Sequence, residues 1–94
     1  MTGVRVRLPG VLAEHAGGAR SFEVEPGPPT VGDLLELLEA QHPRLCRRLR
    51  DETGALRRHV NVYVDGEDVR ACSGLSTALP PGAEVQVLPS VAGG

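Results

Sequence analysis

The residues best suited to chemistry are the last four, Val91-Ala92-Gly93-Gly94. Two successive glycines carry no Cβ, so the backbone there can thread a narrow cleft with angles closed to other residues. What such a tail brings into a cleft is the α-carboxylate of Gly94, a group that can be activated and chemically modified. Ala92 and Gly93 give clearance behind it. Val91 is expected either to fill a small apolar notch in a partner or to sit as an exposed aliphatic side chain. A terminal Gly-Gly also arises by chance, as a frayed end or as a cloning scar. Leu88-Pro89-Ser90 favours the functional reading, because it closes an apolar strand with a proline and releases a short, unbranched leash.

The other reactive residue types form no constellation. Cys46 and Cys72 lie far apart with no CxxC, so neither a zinc site nor a dithiol redox motif is spelled out, and they are read as core or surface thiols. His15, His42 and His59 are scattered without ligand spacing and are assigned no catalytic role. All ten basic residues are arginine, with no lysine in the chain. A phosphate loop of the GxxxxGK[ST] type and a lysine Schiff base are therefore both impossible. If ATP activates Gly94, another protein must hold the ATP. No catalytic residue and no metal are expected.

The elements that must position this tail can be read from periodicity. Ninety-four residues make one domain, expected to be a sheet over 1–88 followed by a flexible tail over 89–94. Val4-Arg5-Val6-Arg7-Leu8 and Ser21-Phe22-Glu23-Val24-Glu25 alternate as half-buried strands. Pro26-Gly27-Pro28-Pro29 breaks the chain, and Thr30 with Asp33 three residues on forms a reciprocal capping pair. Val31, Leu34, Leu35 and Leu38 then repeat at helical spacing, with Glu36 and Glu39 outward. Pro43 ends that helix near Gln41-His42, and Leu45, Cys46 and Leu49 mark a second, short helix. Val60-Asn61-Val62-Tyr63-Val64 is a strand closed by the tight-turn dipeptide Asp65-Gly66. Glu67 to Arg70 returns briefly, and Glu84-Val85-Gln86-Val87-Leu88 is the last strand. The class is α+β, a mixed sheet of four to five strands covered by one main helix plus a short one.

That order, the Pro81-Gly82-Ala83-Glu84-Val85 strand entry and the Val-Ala-Gly-Gly ending resemble the ubiquitin-like β-grasp sulfur carriers of the MoaD/ThiS type, over essentially the whole chain. Two stretches, Arg58 to Arg70 and Leu88 to Gly94, resemble the actinobacterial CysO-like branch, which supplies sulfur to a dedicated cysteine synthase. Carriers serving molybdopterin synthase usually show two aromatics and a double proline before the tail, and Val87-Leu88-Pro89-Ser90 departs from that pattern. The resemblance implies that an E1-like adenylyltransferase/sulfurtransferase uses ATP in trans to adenylate Gly94, and that a sulfur donor then makes a terminal thiocarboxylate. A sulfur-accepting biosynthetic enzyme, of the cysteine-synthase type first, is the implied second partner. The chain would be a protein co-substrate and not an enzyme, with no bound cofactor. Alternative destinations are a shared carrier for a thiosugar-type enzyme, molybdopterin, thiamin thiazole, or conjugation through Gly94 as a protein modifier. An interaction domain with an inert tail remains a third class.

Charge adds little at this level. The net charge of −2 calls for no nucleic-acid or membrane partner, and with no 18-residue apolar run the expectation is a cytoplasmic protein, monomeric when free. Arg44, Arg47, Arg48, Arg50, Arg57 and Arg58 concentrate positive charge in one stretch, read as a solvated helix face and loop or as a steering patch for an acidic partner.

Overall fold

The computed structural model describes residues 3–89. Among these the chain forms strands β1 (Val4–Arg7), β2 (Ser21–Val24), β3 (Val60–Val64), β4 (Glu67–Asp68) and β5 (Glu84–Pro89), and helices α1 (Gly10–Ala13), α2 (Val31–Gln41) and α3 (Pro43–Leu49). Single 3-10 turns follow α1 and bridge β4 to β5. The sheet runs β2-β1-β5-β3-β4. β1 pairs antiparallel with β2 and parallel with β5, while β3 pairs antiparallel with both β5 and β4. The last strand in sequence is therefore the central strand in space.

Alternation puts Val4, Val6, Val60, Val62, Val64, Val85 and Val87 on one face, all buried. α2 covers that face with Val31, Leu34, Leu35 and Leu38, its four buried residues. α3 adds Leu45, Cys46 and Leu49. These are the residues whose spacing predicts the core. Phe22 faces the same side opposite Val6 but sits at the sheet edge, partly buried, with its ring 5.6 Å from that of His42.

The helix ends follow their local chemistry. The backbone N–H of Asp33 donates to Thr30 Oγ1 at 3.2 Å, so the forward half of the expected capping pair forms. The return half does not: Asp33 Oδ2 accepts from the Thr30 hydroxyl at 3.0 Å instead. Aspartate is one methylene shorter than the glutamate that usually completes the box. His42, at φ −137° and ψ 71° outside helical geometry, both ends α2 and starts α3, with Pro43 at the first helical position where its missing N–H costs nothing. Gly32 allows the 74–76 turn to approach α2, since a Cβ there would lie 3.2 Å from the Leu75 carbonyl oxygen. Asp65 and Gly66 both take positive φ, 50° and 88°, the geometry that lets β3 return directly as β4. The final strand runs to Pro89, one residue past its expected end, because Val60 still faces Pro89 across the ladder.

Candidate functional site

The candidate tail residues Val91, Ala92, Gly93 and Gly94 lie outside the described residues. What the structure places is their root. β5 is clamped on both edges by β1 and β3, and its last pairs are Asn61 with Leu88 and Val60 with Pro89. A chain leaving the middle of a sheet starts from a fixed point. Five residues beyond Pro89 span at most about 17 Å.

The surroundings of this root are largely cationic and held by neutral acceptors. Arg70 donates from Nη1 to Asn61 Oδ1 at 3.0 Å and from Nη2 to the Arg57 carbonyl at 2.8 Å, tying the turn after β4 to the entry of β3. Arg57 in turn donates from Nε to the Arg47 carbonyl at 2.9 Å, which links that entry to α3. On the other side a shallow depression of about 230 Å³ is lined by Arg7, Leu8, Pro9, Arg20, Ser21, Gln86 and Leu88. The sheet face turned away from the helices carries the exposed ion pairs Arg5–Glu23 at 3.9 Å and Arg7–Glu84 at 3.6 Å.

The domain itself offers no reaction centre among the described residues. Burial, reinforced by Glu39, pushes the Cys46 thiol up to about 11 although Arg50 pulls the other way. The thiol donates to the Leu35 carbonyl at 3.4 Å. A thiol that stays protonated at neutral pH is a poor nucleophile. Cys72 is exposed and unpaired. Asp51 is held below the usual carboxylate range chiefly by hydrogen bonds from the side chain and backbone of Thr53, with Ala55 and the Arg57 charge adding to them. It stitches a surface loop. Among the described residues no group of three or more His, Cys, Asp or Glu side chains could hold a metal ion, and no helix is long and apolar enough to cross a membrane.

Two features escaped the sequence reading. Arg50 leaves the arginine cluster: its side chain is only 14% exposed and bonds to the Gly54 carbonyl, Glu36 and Glu39, so it staples α3 and the following loop to α2. No spacing rule relates positions 36, 39 and 50. The Arg70–Asn61–Arg57 link is likewise tertiary, joining positions that meet only in the fold.

A mixed β2-β1-β5-β3-β4 sheet covered on one face by helices, with β5 at its centre, defines the ubiquitin-like β-grasp class. Residues 6–94 match the ThiS family, and the chain belongs to that family. It is 43% identical over 93 residues to the sulfur carrier protein CysO of Mycobacterium tuberculosis, covering 97% of this chain and 98% of that protein. It is 46% identical over 65 residues to small archaeal modifier protein 3 of Haloferax volcanii, covering 69% and 70% of the two chains. Among solved structures, one chain of the BexX/CysO complex of Amycolatopsis orientalis superposes with a TM-score of 0.84 at 40% identity, covering 97% of this chain and 99% of that one.

Proposed function

We propose that this chain is a cytoplasmic sulfur carrier in which Gly94 bears the sulfur and Val91, Ala92 and Gly93 dock the tail into partner enzymes. The Gly94 carboxylate attacks the α-phosphorus of ATP on an E1-like enzyme, pyrophosphate leaves, and an acyl-adenylate forms. Sulfide, or the terminal sulfur of a persulfide whose carrier thiol is then freed by reduction, attacks the acyl carbon and expels AMP. The product is a terminal thiocarboxylate. A thioacid ionises well below an ordinary thiol of pKa about 8.5, so the sulfur is a nucleophilic anion at neutral pH. Carrying it on a folded domain replaces dilute free sulfide with a docked reagent.

The observation that carries this reading is the near end-to-end match with a protein named as a sulfur carrier, joined to a central strand that ends at the root of the Gly-Gly tail. The acceptor favoured is a cysteine-synthase-type enzyme. Offering the Gly94 thiocarboxylate with labelled sulfur to cysteine-synthase-type, thiosugar-type, thiazole-forming and molybdopterin-forming enzymes tests the choice. Labelled cysteine is the expected product, and label in another product reassigns the acceptor. A second reading, conjugation through Gly94, is favoured by the likeness to an archaeal modifier protein. It predicts a reductant-resistant adduct with a target protein on a denaturing gel.

A further inference from the structure

We propose that the arginines of α3 and of the segment entering β3 form a docking face for an acidic protein surface, one whose carboxylates ring the cleft that receives the tail. The tail's destination rests on the sulfur-carrier reading; the chemistry of the face does not.

Folding sorts the six arginines of the 44–58 stretch into two kinds. Arg50 is neutralised by Glu36 and Glu39. Among the described residues, Arg44, Arg47, Arg48, Arg57 and Arg58 have no carboxylate within ion-pair distance. Asp51 lies close enough to feel Arg57 without reaching ion-pair distance, and its charge, held by hydrogen bonds from Thr53 and Ala55, marks the acidic border of the patch. Folding also brings two separate runs together, since Arg47 and Arg48 of α3 and Arg57 and His59 before β3 line one depression. Arg57 and Arg70 are fixed by carbonyl and amide oxygens, which hold a guanidinium in place without cancelling its charge. A chain of net charge −2 thus gathers arginine charge on one face, bordered by Glu39, Asp51 and Glu52 where Arg47 lines a neighbouring depression. The patch ends at Val60, the residue paired with Pro89 at the tail root. Uncompensated charge beside a reactive tail fits steering and register of a partner. No Phe, Tyr or Trp lines the depression, so nothing there stacks nucleic-acid bases.

The face is read with poly-L-glutamate as the probe, titrated into the full-length chain and followed by amide chemical shifts. Shifts are expected at Arg47, Arg48, Arg57, Arg58 and His59, fading as salt rises to about 0.5 M. The triple variant Arg47→Gln, Arg48→Gln, Arg58→Gln removes charges that make no structural hydrogen bond. It should unfold at the same temperature, raise the KM for carrier of the E1-like enzyme that loads the tail by about tenfold at low salt, and leave kcat within about twofold. No shifts, shifts centred elsewhere, or an unchanged KM overturn the proposal. Tighter binding of an RNA oligonucleotide to the same residues overturns it in favour of nucleic acid. Failure of the wild-type chain to be loaded at all refutes the carrier reading instead, and the titration still decides the face.

Discussion

Replacing Arg50 by alanine should destabilise this domain more than any other single arginine substitution in the 44–58 stretch. Its guanidinium bonds the Gly54 carbonyl at 2.9 Å and reaches Glu36 and Glu39 at 3.3 and 3.4 Å, while its side chain is 14% exposed. Both glutamates are more than half exposed, so each ion pair contributes only about 0.2–0.5 kcal/mol. The charged hydrogen bond to Gly54 adds about 1 kcal/mol, and the buried aliphatic stem adds a few tenths more. The sum is about 2 kcal/mol. For a domain of this size that lowers Tm by roughly 8–16 °C. Arg48→Ala, which removes an exposed side chain with no hydrogen bond, should stay within about 0.5 kcal/mol of wild type. Arg50→Lys keeps the charge but loses the fork and should fall between. Thermal and denaturant unfolding of the three variants in one buffer give the comparison. Equal loss for Arg50→Ala and Arg48→Ala would refute the division of the arginines into staple and docking groups.

Four further outcomes follow from the core and the turns. The Cys46 thiol ionises near pH 11 in the fold but near 9 when unfolded, so between those values the native state holds the extra proton. Stability should therefore fall as pH rises through that window, and Cys46→Ala should flatten the fall. A thiol reagent at neutral pH should modify Cys72 well before Cys46, as mass spectrometry of the labelled peptides would reveal. Leu38→Ala, at a residue 1% exposed in the α2 stripe, should cost about 2–5 kcal/mol in denaturant unfolding. Gly66→Ala meets no neighbour but must hold φ near 88°, so a loss of about 1 kcal/mol is expected from the backbone alone.

Much of the fold is legible because local signals and burial agree. The α2 stripe, the Pro43 boundary and the valine alternation in β1, β3 and β5 each state their own environment, and the structure buries those residues. Short elements are less visible. α1 and the 3-10 turns are single turns whose sequence gives little more than a place between strands. The capping pair is half right because the residue type fits the position while its reach falls short. The candidate site divides the same way. A Gly-Gly ending is written plainly in the chain, whereas the central placement of β5, the Arg50 staple and the Arg70 link depend on residues brought together only by folding. Arginine count alone could not separate neutralised from uncompensated cations. Distances could.

The most direct test of the carrier account is to incubate the full-length chain with ATP, an E1-like enzyme and sulfide, reduce the product, and measure intact and C-terminal peptide masses. The account predicts one oxygen replaced by sulfur, confined to Gly94, resistant to thiol reductant, and absent from a chain lacking Gly93-Gly94 that remains as stable as wild type. Sulfur found instead on Cys46 or Cys72 and removed by reductant, or no gain of sulfur with any E1-like enzyme, would contradict it.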